Sequence, residues 1–211
     1  MNSDTLLAFL GTATILTMAP GLDTAMVLRT AAVEGARHGA AAALGIGIGC
    51  LCWGSAAAFG VGTLFAAFPI LFVTLKWVGA AYLGWLGVNL LLAPRRAFSM
   101  AGAAAPQAPT LAQAAGRGFT TNILNPKVGL FYLTLLPQFV PEGAGAGDSA
   151  FTLALAHVGL ATSWFVLLAV ATGLIRPALQ RPQVMAGLDR VTGMVLILLG
   201  FHLSLASGAL A

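Results

Sequence analysis

The sequence predicts an all-α polytopic membrane protein with six transmembrane helices, arranged as two inverted three-helix repeats. Three observations predict it. Of 211 residues, ten are Lys or Arg and six are Asp or Glu, so 8% of the chain is charged, where a soluble domain carries about 25%. Apolar residues make up 59%, and another 26 positions are Gly, which membrane helices accept. Too few polar side chains remain to cover a soluble globule, so the soluble, disordered and nucleic-acid-binding classes are excluded. Second, the runs 39–75, 77–94 and 191–211 carry no charge at all. No run alternates apolar and polar residues as barrel strands must. Third, the arginines segregate to alternate loops, as described below.

Each span needs roughly 20 apolar residues. Charges and prolines place the helices near 5–28, 39–66, 69–93, 118–140, 150–175 and 191–210. The first follows Met1-Asn2-Ser3-Asp4, which lacks a positive n-region and reads as the start of a retained span rather than a signal peptide. The second repeats small residues at Ala41, Gly45 and Gly49, a close-packing face. It also holds Cys50 and Cys52, which read as packing residues more readily than as a redox pair. The third begins beside Lys76-Trp77, expected to be an interfacial anchor. Its Tyr82 and Asn89 are expected to line a cavity or to bond between helices.

Residues 94–116 are rich in Ala, Pro and Gln and read as a flexible cytoplasmic linker. They divide a first repeat, 1–93, from a second, 117–211. The fourth span contains Asn125-Pro126-Lys127. The fifth and sixth carry His157 and His202, where a proton relay is conceivable and a bond to a neighbouring carbonyl is no less expected. A repeat of three spans is odd, so two such repeats must face opposite ways in the membrane.

Six spans put Arg29, Arg37, Arg95, Arg96, Arg117, Arg176, Arg181 and Arg190 on one side. Asp4, Glu142 and Asp148 lie on the other. Positive loops stay cytoplasmic, so loops 1–2, 3–4 and 5–6 are expected inside and both termini outside.

Each half opens on a helix with a break. Pro20-Gly21 interrupts the first span and Pro126 the fourth, because proline lacks a backbone donor and clashes with the preceding turn. Carbonyls freed within lipid must find partners. Breaks at matching places in two halves point to a binding site. Pro20 precedes Arg29 by nine residues and Pro126 follows Arg117 by nine. At the helical rise that is about 13 Å, near the middle of a ~30 Å hydrocarbon core.

The run Pro20-Gly21-Leu22-Asp23-Thr24 resembles the LysE/RhtB family of amino-acid exporters. So do Gly118-Phe119 through Asn122, Asn125-Pro126-Lys127, Phe131 and Leu136-Pro137-Gln138-Phe139-Val140. The stretch Trp77-Val78-Gly79-Ala80-Ala81-Tyr82-Leu83-Gly84 is similar to that family too. The resemblance covers nearly the whole chain in length and motif order. The family commonly has Pro-Gly-Pro-Asp, and Leu22 replaces the second proline here. A milder break is therefore expected.

The resemblance implies a non-enzymatic secondary transporter of the inner membrane. It would export an amino acid or close derivative, with no cofactor and a proton gradient as the energy source. Its partners would be the amino-acid substrate and the lipid bilayer, with homo-oligomerisation left open and no nucleic acid. Asp23 is expected to attract the substrate ammonium or carry the coupling proton, against the plainer reading of a helix cap. Lys127 is expected to meet the substrate carboxylate, against a structural ion pair with Asp23. Asn122 and Asn125 could bond a zwitterion or satisfy carbonyls freed by Pro126. Two rivals use other chemistry: an electron relay through Cys50 and Cys52, and a metal-ion exporter. The second is weakened because metals need several His, Cys or carboxylate ligands together, and no metal site is expected.

Overall fold

The computed structural model describes residues 3–61, 68–94, 109–141, 143, 145–179 and 181–205. Every regular element among them is helical. Helix α1 spans Ser3–Met18 and α2 spans Leu22–Glu34, with Pro20-Gly21 between them. Helix α3 covers Ala36–Ala56 and runs on through a π turn at Ala57–Val61. Helix α4 is Pro69–Leu92 and α5 is Leu111–Ile123. A short α6, Pro126–Leu130, continues as a π turn at Phe131–Leu135 and a 3₁₀ turn at Leu136–Phe139. Helices α7, Ala146–Leu179, and α8, Pro182–Leu205, complete the described chain.

Among the described residues four helices are long and apolar enough to cross a membrane: α3, α4, α7 and α8. The α1–α2 pair, bent by 53° at the proline break, makes a fifth if taken as one span. The expected span 118–140 is the broken run from α5 to the 3₁₀ turn, no piece of which is long enough alone. The chain is thus an all-α polytopic membrane protein. Its outer surface agrees, because Ile70, Leu92, Leu174 and Leu198 are among many large apolar side chains left exposed. A bilayer solvates such a surface and water does not.

Several expected boundaries move. Helix α2 continues past Arg29 to Glu34, so Gly35 alone separates it from α3, with a φ of 95° that a side chain would oppose. The linker assigned to 94–116 ends earlier, because α5 starts at Leu111. The signal lies in Thr110 and Gln113, whose side chains cap each other's backbone amides in a capping box. Helix α8 starts at Pro182 rather than 191, since proline suits a first helical turn. Arg95, Arg96, Glu142, most of the linker and the far ends of the second and sixth expected spans lie outside the described residues.

Helix α3 is the hub, packing on α2, α5 and α7, while α4 and α8 pair with each other. Small residues allow the closest of these contacts. A Cβ at Gly45 would collide with the Ala115 carbonyl of α5, and one at Gly118 with the Ala42 carbonyl of α3. The two backbones therefore touch, as the small-residue face predicted. The end of α2 is also held to α5 by Arg117, whose guanidinium donates to both oxygens of Glu34 at 2.6 and 2.8 Å. Arg117 and Glu34 are both partly exposed, so this pair contributes less than the glycine packing.

Gly45→Ala should lower thermal stability, by roughly 1–3 kcal/mol of overpacking. Gly116→Ala, where nothing lies within 4 Å of the new methyl, should be neutral or raise stability by up to about 1 kcal/mol through helix propensity. Melting curves of the purified variants in one detergent check the opposite signs.

Candidate functional site

The site starts from a missing donor. Leu16 lies four residues before Pro20, so the helical partner of its carbonyl does not exist. The Lys127 ammonium fills that place, donating to the carbonyls of Leu16 at 3.1 Å and Ala19 at 3.0 Å. The cation comes from the first turn of α6, directly after the second proline. The two breaks thus meet, although more than a hundred residues of chain separate them.

Asp23 lies in the first turn of α2 and is buried, 5% exposed. It does not cap that helix: Gly21 holds the cap position, with no side-chain hydrogen bond there. Instead Asp23 Oδ2 accepts from Asn122 Nδ2 at 2.8 Å. The charge of Lys127 also acts on the carboxylate. Asn122 is fully buried at the end of α5 and donates a longer contact to Cys50 Sγ at 3.4 Å. Room for it comes from Gly49 of α3, where a Cβ would lie within 2.5 Å of Asn122 Oδ1. Asn125 caps α6, its Oδ1 accepting from the Lys127 amide at 3.1 Å.

Three buried polar atoms of this cluster have no hydrogen-bond partner: Asp23 Oδ1, Asn122 Oδ1 and Asn125 Nδ2. Asn125 is close enough to act on the Asp23 carboxylate, but its amide makes no well-aligned bond. Two unfilled acceptors and one unfilled donor are costly in an apolar interior. Of the three residues Asp23 lines a cavity of about 20 Å³, together with Lys127, Cys50, Thr17, His157 and Phe165, among others. That volume holds about one water molecule.

The sequence reading did not place His157, Thr17 or Tyr132 at this site. His157, on α7, accepts or donates through both ring nitrogens, to Thr17 Oγ1 at 3.1 Å and Tyr132 Oη at 2.8 Å. Thr17 closes α1 just before the first break, and Tyr132 follows the second. Only the juxtaposition of three distant segments makes them a cluster. His202 is exposed in the last turn of α8, away from the cavity.

Other expectations separate. Tyr82 lines a different, apolar cavity of about 320 Å³, beside Pro126 and with Trp53 and Asn125 in its wall. Asn89 is exposed and donates to the Trp85 carbonyl one turn back at 2.7 Å, so it lines no part of the cluster. Lys76, expected at an interface, is buried at 8% exposure, its ammonium 5.7 Å from the Trp77 ring centroid. The thiols diverge: Cys50 is buried against Asn122 and Cys52 is exposed. Two positions apart on a helix they face different ways, which leaves the electron relay without a pair. Among the described residues no three His, Cys, Asp or Glu side chains gather as metal ligands.

Comparison with known proteins gives a consistent picture. Residues 14–207 match the family described as LysE type translocator. A homoserine/homoserine lactone efflux protein of Salmonella typhi is 32% identical over 211 residues, 96% of this chain and 97% of that one. A leucine efflux protein of Klebsiella pneumoniae is 35% identical over 152 residues, covering 71% of this chain and 70% of that protein. An uncharacterized membrane protein of Bacillus subtilis is 30% identical over 209 residues, 95% of this chain and 99% of its own. No solved structure matches.

Lys127→Met should strand the Leu16 and Ala19 carbonyls and leave Asp23 uncompensated, costing on the order of 3–5 kcal/mol. Adding Asp23→Asn to it should recover part of that loss. A double-mutant cycle of melting temperatures measures both, and strict additivity of the two changes would contradict the coupling.

Proposed function

Because the chain belongs to the LysE type translocator family, and so is a multi-pass membrane transporter rather than an enzyme, we propose that it exports a zwitterionic amino acid or close derivative. The observation that carries this reading is the unfilled polar triad beside one buried carboxylate and one half-buried ammonium. A substrate ammonium supplies donors for Asp23 Oδ1 and Asn122 Oδ1. A substrate carboxylate accepts from Asn125 Nδ2 and competes with the backbone carbonyls for Lys127. Charged groups within a membrane span are rarely kept without such a use. The relatives named for leucine and homoserine efflux support the substrate class.

In this reading α1–α2 and the run α5 to Phe139 are two broken spans, giving six in all. The repeats are 1–93 and 117–211, joined by a cytoplasmic linker. Two features support the plan. Helix pairs α3–α7 and α4–α8 are contacts between corresponding members of the halves. Each break also flanks an apolar side cavity, about 290 Å³ at Pro20 and about 320 Å³ at Pro126. A tryptophan with an unpartnered indole N–H lines each: Trp164 the first and Trp53 the second.

A 20 Å³ cavity is too small for an amino acid. Transport therefore requires the breaks to part, and one half rocking against the other would expose the cluster to each side in turn. The arginine distribution supports cytoplasmic loops 1–2, 3–4 and 5–6 with both termini outside. Outward movement of a zwitterion against its gradient needs an energy source, for which the proton gradient is the candidate.

Export is tested with leucine and homoserine in a strain lacking its own exporters. Asp23→Asn should reduce efflux at least about tenfold at equal expression, the loss of one charge-assisted contact of ~1.5–3 kcal/mol. Cys52→Ser, remote from the cluster, should export at the normal rate, whereas an electron relay would lose its exposed thiol. Wild-type efflux by Asp23→Asn would remove the breaks as the binding site. Orientation is tested separately with protease sites in the linker and at the C-terminus. Cleavage of the linker from the cytoplasm and of the C-terminus from outside is expected.

A further inference from the structure

A further buried titratable group lies beside Asp23 and Lys127. His157 is 3% exposed and shares its cavity with Asp23 and Lys127. Its two hydrogen bonds tie α7 to the end of α1 and to the π turn after α6, so one ring bridges the segments flanking both breaks. We propose that His157 is the proton-binding site of the transport cycle, and that charging it drives Lys127 off the first break. This rests on the export reading only for the word transport; the switch itself is a property of the cluster.

The hydrogen-bond inventory allows the proton. A neutral imidazole has one donor and one acceptor, so one hydroxyl donates to it and the other accepts. An imidazolium donates from both nitrogens, and the hydroxyl that had been donating must turn away. Both hydroxyls have somewhere to turn. Tyr132 lies within interaction range of Cys50. Thr17 has the option of a carbonyl one turn back, the bond that Thr12, Thr134, Thr152 and Thr172 all make. The bridge thus survives protonation with its donors reversed.

Charge does not survive it so easily. The titratable and charged groups facing His157 are Asp23 from α2, Cys50 from α3, Lys127 from α6 and Tyr132 from the π turn. With Lys127 seated and His157 neutral, one cation offsets one carboxylate. A proton on His157 adds a second cation to the same small apolar cavity, where like charges repel far more strongly than in water. Asp23 can balance only one of them. Lys127 is the one with a flexible stem, and its ammonium donates to the neutral carbonyls of Leu16 and Ala19. Its departure releases Leu16 and Ala19 and unlocks the first break. Proton uptake and the seated Lys127 are therefore mutually exclusive, which is the coupling an exchanger requires.

Cys50 reports on the cavity, since it lines the wall and is buried while the break is closed. Cys52→Ala protein in lipid nanodiscs leaves it as the sole thiol. Its rate of modification by a small uncharged disulfide is measured from about pH 8 to about pH 5, with His157→Gln measured alongside. The ratio of the two rates at each pH cancels the changing thiolate fraction. That ratio should rise several-fold as pH falls. Lys127→Met should flatten the pH dependence, having no ammonium to displace. Tyr132→Phe, which keeps the ring but removes one partner, should move the midpoint and guards against misfolding of the glutamine variant. A ratio that stays constant with pH, or an unmoved midpoint in Tyr132→Phe, overturns the proposal. Either result leaves the export reading intact, because that reading stands or falls with Asp23→Asn efflux.

Discussion

One hydrogen-bonding constraint organises the centre of this protein: Pro20 leaves the Leu16 carbonyl without its helical donor inside a membrane. Water cannot reach such a carbonyl freely and lipid cannot bond it. Lys127 supplies the donor from the other half of the chain. Each further feature follows from bringing a charge to that place. The ammonium needs a counter-charge, and Asp23 provides one from the far side of the same break. The carboxylate needs a donor, and Asn122 provides it at 2.8 Å. Asn122 needs space against α3, and Gly49 leaves it. A break, an ion, a counter-ion, an amide and a glycine thus form one dependent series.

The packing around this series is of two kinds. Between α3 and α5 the backbones touch through Gly45 and Gly118, and no side chain is interposed that could adapt. Such a contact behaves as a rigid unit. Beside the breaks the packing is loose, with apolar cavities of about 290 and 320 Å³. The alternating cycle proposed above would need both: rigid blocks that move as bodies, and unfilled space for them to move into.

Much of this was legible in the sequence, and the reason is specific. In a chain with 8% charged residues, each charge within an apolar run is conspicuous, and Asp23 and Lys127 stand out on that ground as well as by their place at the two proline breaks. The glycine face of α3 was legible from its spacing. Helix ends were less so. Apolar periodicity is silent where a helix leaves the membrane and continues in polar sequence, so α2 and α8 both extend beyond their expected limits. The start of α5 was written in Thr110 and Gln113, a pattern hidden within an Ala-Pro-rich stretch. Lys76 and Asn89 went astray because depth and facing were read from neighbours in sequence, and facing depends on which helix lies alongside. His157 could not be assigned at all: its meaning comes from Thr17 and Tyr132, 140 and 25 residues away.

The arrangement also explains why both breaks must carry polar side chains rather than one. If Lys127 were replaced by a local donor on the first helix, the Leu16 carbonyl would be satisfied within its own half, and the second break could move without disturbing the first. With the donor in the other half, opening one break necessarily unseats the group that stabilises the other. The cost of that separation is large in a cavity of about 20 Å³, because the carbonyls, the carboxylate and the amides all lose partners together. In the proposed export cycle a zwitterion would lower this cost by presenting an ammonium and a carboxylate to the groups being exposed. In that cycle the seated lysine would favour closure without substrate, and a ligand of complementary charge would favour opening. The same pair of carbonyl contacts thus ties the two proline breaks to each other.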